Sequence, residues 1–321
     1  MVKPFIFIFP GQGSQKIEMG LDLYKNHTTA REVFDEVDES LKQKLTKTMF
    51  YGPESDLKLT ANTQPALMSV SIAIIKVLEH ELNKKISDYV EIVLGHSLGE
   101  YSALCSVNAI SLNDTSKLLR VRGDSMQNAV KAIETKMVAI IGLDIKKVED
   151  VINNENFSSD EICEIANDNC PGQIIISGTR KGVEKVSKNL KNSGARSLID
   201  LNVSAPFHCS LMNSASEEVG EHINLTNFSE LETKFISNVT ADFESKTRKI
   251  KELLVKQIFS RVRWRESILL AKESGARKVV EIGSGKVLSG INKRIGTNLE
   301  GENISNFLEL QNFLENNLDL L

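Results

Sequence analysis

Val90-Glu91-Ile92-Val93-Leu94-Gly95-His96-Ser97-Leu98-Gly99-Glu100-Tyr101 decides how the rest of the chain is read. Residues 90–94 have the apolar run of a short buried strand, and Ser97 to Leu104 reads as the start of a helix. Between them lies Gly-x-Ser-x-Gly, the nucleophile elbow, in which small residues permit a strained strand-to-helix turn. Such a turn exposes the Ser97 hydroxyl at its tip, facing the N–H groups of the new helix.

Working outward, Phe5-Ile6-Phe7-Ile8-Phe9 predicts a buried central strand, ended by the loop Pro10-Gly11-Gln12-Gly13-Ser14-Gln15. That loop fails as a dinucleotide fingerprint, because Lys16 stands where a third small residue should admit close helix packing. Residues 21–60 read as polar helices. A helix beginning at Thr63-Gln64-Pro65 is expected next, with proline in its first turn. Ser111 is the expected N-cap of a further helix with the apolar stripe Leu112, Leu119, Met126, Val130. Arg122 falls on that stripe. A guanidinium there is costly unless a carboxylate meets it. It either forms an internal salt bridge, snorkels to the surface, or points into the Ser97 cleft to meet a substrate carboxylate.

From residue 134 the order becomes βαββαβ, the split pattern of a ferredoxin-like subdomain spanning 134–203. The fold class expected is α/β: a hydrolase-like core with a mostly parallel sheet from 1–133 and 204–321, carrying this insertion. Strands are expected at Phe235–Val239 and Lys278–Gly283, with helices over 247–259 and 265–274, and the second strand leads into Ser284-Gly285-Lys286-Val287-Leu288 and a last helix. The tail after 297 reads as Asn-rich and acidic, with a helical stripe. The loops after residues 9, 94 and 283 can share one rim of the sheet.

A serine nucleophile needs a base. Of five histidines, His27 lies in a polar loop, His80 between two glutamates, His222 on a helix beside Val219 and Ile223, and His96 within the elbow. His208, in the irregular Ala205-Pro206-Phe207-His208-Cys209 segment, is the best candidate, and it follows the serine as in α/β hydrolases. Asp124, Asp144, Asp160, Asp168 and Asp200 lie between the two, but none sits in a recognisable loop after a core strand. A backbone carbonyl or an amide side chain is therefore also a candidate to orient the imidazole.

The 321 residues are 41% hydrophobic and 26% charged, with net charge −4 and no basic stripe, which disfavours nucleic acid. Cys105, Cys163, Cys170 and Cys209 have neither zinc-ligand nor disulfide-framework spacing, so no metal is expected and a reducing compartment is. The apolar runs read as too short for a bilayer, and the N-terminus shows no leader pattern. A cytoplasmic monomer is the expectation.

Phe-Pro-Gly-Gln-Gly-Ser-Gln (9–15), Thr-Gln-Pro-Ala-Leu (63–67), Gly-His-Ser-Leu-Gly-Glu-Tyr-Ser-Ala-Leu (95–104), Arg-Gly-Asp-Ser-Met-Gln (122–127), Asn-Cys-Pro-Gly-Gln (169–173), Pro-Phe-His-Cys (206–209), Val-Arg-Trp (262–264) and Glu-Ile-Gly-Ser-Gly-Lys-Val-Leu (281–288) together resemble the malonyl-CoA:acyl carrier protein transacylases of fatty-acid synthesis. The resemblance implies Ser97 as nucleophile, His208 as base, backbone N–H groups of Gln12 and Leu98 as oxyanion hole, Arg122 as malonyl carboxylate ligand, and Gln257 beside His208, helping to orient it and the substrate. It implies malonyl-CoA as substrate, coenzyme A as product, holo acyl carrier protein as partner and no tightly bound cofactor. Two positions depart from the family pattern: Ser260-Arg261 precede Val262 where a proline is usual, and Glu134-Thr135-Lys136 replace a glycine-rich lead into the next strand. A thioesterase, a non-catalytic carrier-binding module, and an acyltransferase with methylmalonyl or broader preference are the rival readings.

Overall fold

A computed structural model describes residues 2–130 and 133–321. Met1, Lys131 and Ala132, all within the segments assigned to the core, lie outside the described residues. The chain opens with β1 (Phe5–Phe9) and the helices α1 (Leu21–Asn26), α2 (Thr28–Leu41), α3 (Leu45–Tyr51), α4 (Glu54–Leu57) and α5 (Thr60–Leu82). β2 (Val90–Gly95), α6 (Gly99–Ser106) and α7 (Leu112–Asn128) follow. Next come β3 (Thr135–Ile141), α8 (Ile145–Asn153), β4 (Cys163–Cys170), β5 (Gln173–Thr179), α9 (Arg180–Asn192) and β6 (Ser197–Asp200). The chain then runs through α10 (Asn213–Leu225), β7 (Lys234–Ile236), β8 (Phe243–Glu244), α11 (Thr247–Gln257), α12 (Trp264–Lys272), β9 (Lys278–Ile282), α13 (Val287–Ile295), β10 (Glu300–Ile304) and α14 (Phe307–Asn316).

Two sheets result. The larger has the order β10-β9-β1-β2-β7-β8, parallel except for β8. β1 is buried on both faces. Phe5, Phe7 and Phe9 enter one core with α2, α5 and α7, while Ile6 and Ile8 enter another with α12 and α13. That is why its five residues are apolar without alternation. The smaller sheet, β4-β5-β3-β6, is antiparallel throughout and closes its own core against α8 and α9. This strand order and the βαββαβ sequence are those of a ferredoxin-like layer.

Several expectations need correction. α5 begins at Thr60, so Pro65 lies in its second turn. The earlier start is held by tertiary contact, the Thr60 N–H donating to Gln127 Oε1 at 3.2 Å. α5 is also the one described helix long and apolar enough to cross a membrane by length and composition. Its uncharged polar residues broke up the apolar run in the sequence, yet 94% of its most apolar window is buried in the core. β10 and β8 escaped the sequence reading. β10 is Glu-Gly-Glu-Asn-Ile, an edge strand in which only Ile304 is buried, so little hydrophobic signal marks it. His222 lies on α10, as expected, and is exposed there. The Ser111 cap forms as expected, its hydroxyl accepting from Asp114 N–H at 3.0 Å.

Candidate active site

The carboxyl ends of β1, β2 and β9 meet at one rim: Phe9 lies opposite Gly95, and the Ser284 hydroxyl donates to Ser14 O at 2.8 Å. Ser97 leaves β2 at φ 55°, in the left-handed region that costs a non-glycine residue free energy. The turn needs its two glycines for space. A Cβ on Gly95 would lie 1.9 Å from Gly99 C, and one on Gly99 would lie 2.2 Å from Phe9 O. Asn238, wholly buried just beyond β7, braces both sides of the strained residue. Its Oδ1 accepts from Ser97 N–H at 2.8 Å, and its Nδ2 donates to Gly95 O at 2.7 Å.

Ser97 Oγ lies 2.8 Å from His208 Nε2. His208, itself at φ 60°, has Nδ1 2.8 Å from the backbone carbonyl of Gln257, the last residue of α11. A carbonyl only accepts, so Nδ1 carries the proton and Nε2 presents a lone pair to the serine. The orienting group is thus a backbone carbonyl. Asp124, Asp144, Asp160, Asp168 and Asp200 are elsewhere or otherwise engaged; Asp168, for example, forms a bidentate pair with Arg265 through Oδ1 and Oδ2. Burial, then the neighbouring Arg122 cation, pushes the His208 pKa down to about 3, so the ring is neutral near pH 7.

Arg122 neither snorkels nor pairs with a carboxylate. It is 1% exposed, and among the described residues no acid lies within salt-bridge distance. Nη1 donates to Gln64 Oε1 at 2.8 Å; Nη2 donates to Gln257 Oε1 at 2.8 Å and to Ser97 Oγ at 3.0 Å. The guanidinium also lies over the Tyr101 ring, 5.6 Å from its centroid. The Gln257 amide donates in turn to Ser97 O at 2.8 Å and to Glu100 Oε2. Gln257 therefore touches the histidine through its backbone and the arginine through its side chain, with Ser260-Arg261 rather than proline downstream.

Gln12 and Leu98 line the same cleft, and among the described residues no acceptor meets either backbone N–H. The cleft has a volume of about 380 Å³ and runs between the two layers, with Met137 and Asn167 of the smaller sheet on one wall and Lys58 at its mouth. His96 also borders the cleft, but its ring is engaged elsewhere, its Nε2 2.9 Å from Asn169 Oδ1 on β4. The sequence reading missed Gln64, Glu100 and Asn238 as members of this network. Gln64 and Glu100 lay inside quoted motifs, but Asn238 carried no signal beyond an expected strand end.

A neutral imidazole on a serine at the tip of an elbow, with unpaired N–H groups beside it, suits passage of an acyl group through a serine ester. The guanidinium at the same oxygen suits an acyl group bearing its own negative charge. The acyl transferase domain family matches residues 6–302, and the chain belongs to that family. It is 43% identical over 92% of its length, and 91% of the relative's, to the malonyl CoA-acyl carrier protein transacylase of Bacillus subtilis. An acyl-carrier-protein S-malonyltransferase structure from Bartonella henselae superposes with a TM-score of 0.93 at 44% identity, covering 97% of this chain and 98% of that one. Another solved relative, a malonyl-transacylase in complex with its type II PKS acyl-carrier protein, gives a TM-score of 0.92 at 34% identity, covering 98% and 100%.

Proposed function

We propose that this chain transfers a malonyl group from malonyl-CoA to the phosphopantetheine thiol of holo acyl carrier protein, through a malonyl ester on Ser97. The observation that carries this reading is the buried Arg122 guanidinium 3.0 Å from Ser97 Oγ, with no carboxylate of the described residues within salt-bridge distance of it. His208 Nε2 takes the Ser97 proton as Oγ attacks the thioester carbon. The N–H groups of Gln12 and Leu98 receive the oxyanion, a contribution of about 3 kcal/mol per donor. Collapse breaks the C–S bond, and coenzyme A leaves with the proton returned by His208. The carrier thiol then gives its proton to His208 and attacks the ester carbon; collapse breaks the C–Oγ bond, and His208 returns the proton to Ser97 Oγ. No tightly bound cofactor enters this sequence.

Arg122 supplies the acyl choice, because an acetyl group leaves its cation unpaired in a partly dry cleft. Intact mass spectrometry after exposure to mixed acyl-CoA thioesters tests this. Ser97 should gain a malonyl adduct that Ser97→Ala lacks and that carrier protein removes. Arg122→Ala should lose malonyl loading relative to acetyl by about 3 kcal/mol, roughly a hundredfold. Equal losses for both would make Arg122 structural, and release of free malonate without transfer would favour a thioesterase.

A further inference from the structure

Glu100 is a charged residue type with 1% exposure, one position beyond the elbow motif, and the acyl-transfer sequence gives it no task. It sits one amide away from Arg122. Gln257 Oε1 accepts from Arg122 Nη2 at 2.8 Å while Gln257 Nε2 donates to Glu100 Oε2. The other carboxyl oxygen accepts from Asn238 N–H at 2.6 Å. Arg122 Nε is buried without an acceptor, so the cation is incompletely compensated by neutral groups. We propose that ionised Glu100 and the substrate carboxylate are alternative counter-charges for Arg122, so that binding the substrate draws a proton from solvent onto Glu100. The proposal rests on Arg122 taking a substrate carboxylate.

The surroundings leave few other partners. From α7 only the Arg122 guanidinium bears on Glu100, and from α6 itself the Tyr101 phenol. The loop after β7 adds the Ser237 hydroxyl and the Asn238 N–H, and α11 the Gln257 amide. β1 is wholly apolar, the buried stretch of α5 from Thr60 to Ile75 has no charged side chain, and the one acid of β2, Glu91, is paired with Lys234. The His208 ring lies across Ser97 and is neutral. A second anion on the guanidinium removes the attraction that favours ionised Glu100 and adds repulsion, and both effects favour the protonated acid. Burial already pushes Glu100 up to about 8 in the empty cleft, so the exchange falls within an accessible pH range.

Calorimetric titration of Ser97→Ala with malonyl-CoA, in buffers of differing ionisation enthalpy, counts the protons. About half a proton or more should be taken up near pH 8.5 and almost none near pH 6.5. Acetyl-CoA, which carries the same phosphates, should show no such uptake, nor should malonyl-CoA with Glu100→Gln in the Ser97→Ala background. Malonyl-CoA binding no tighter than acetyl-CoA would sink the carboxylate reading itself. Tight malonyl-CoA binding without uptake, or with uptake retained by Glu100→Gln, would overturn the role of Glu100 alone. An infrared difference spectrum of Ser97→Ala needs no change at residue 100. A protonated-carboxyl C=O band should appear on adding malonyl-CoA at alkaline pH, and its absence counts against the proposal.

Discussion

His208 sits between two influences of the same sign. Burial comes first and the Arg122 cation second; both favour the neutral ring, while the Gln257 carbonyl opposes them. A base with a pKa of about 3 in the empty site is deprotonated throughout the physiological range, so malonyl loading at low substrate should show no acid limb near pH 6.5, the value of an unperturbed histidine. Single-turnover loading followed from about pH 5 upward checks this, and an inflection near 6.5 would contradict it. Arg122→Ala removes one depressing influence, so any acid limb should move upward in that variant. The unfolded ring titrates near 6.5, the ordinary histidine value, and the folded one at about 3. Between those values the unfolded chain binds more protons, so His208 makes stability fall as pH drops through that window. A backbone carbonyl was among the groups the sequence left open to orient the imidazole, but any residue has one, and only the fold brings that of Gln257 to Nδ1.

At the scale of elements, Arg122 is delivered by the close approach of α7 to α5. Its neighbour Gly123 faces Ala61 so closely that a Cβ there would lie 2.5 Å from Ala61 Cα. A methyl group meeting backbone cannot be relieved by a side-chain rotation, so the helices must separate. Gly123→Ala should therefore cost about 1–3 kcal/mol in stability, read by thermal unfolding, and should depress malonyl loading more than acetyl loading by moving the guanidinium. Equal loading defects would show that the helix contact does not set the position of Arg122. The α7 helix itself was legible, since Ser111 caps it and an apolar stripe runs along it. Which way Arg122 points was not. Periodicity puts a residue on a face, but whether that face meets core or cleft depends on the helix it packs against.

Across the whole molecule the cleft exists because a second layer stands over the elbow. Buried Asp168 of β4 pairs with Arg265 of α12 at 2.8 Å, His96 meets Asn169, and the Val262 carbonyl accepts from Asp168 N–H at 2.9 Å. The two sheets are therefore locked together beside Ser97 rather than merely joined by chain. Asp168→Ala would strip Arg265 of its partner. A fall in stability of about 3 kcal/mol is expected, somewhat less because Arg265 is a quarter exposed, together with a larger rise in KM than loss in kcat. An unchanged KM would mean that the cleft width does not depend on this pair.

The sequence by itself determined the local conformations: the apolar β1, the glycine-flanked turn at Ser97, the capped α7 and the βαββαβ order. These follow from steric limits, propensity and hydrophobic period, which act over a few residues. Its motifs also pointed to acyl transfer. Only the tertiary structure decided the electrostatics of the site: a carbonyl behind His208, an amide linking Arg122 to Glu100, and Asn238 bracing the elbow from another strand. Hydrogen bonding and desolvation depend on distance in space and on exclusion of water. Residues 97, 122, 208, 238 and 257 acquire both only when the sheet and its helices close around them.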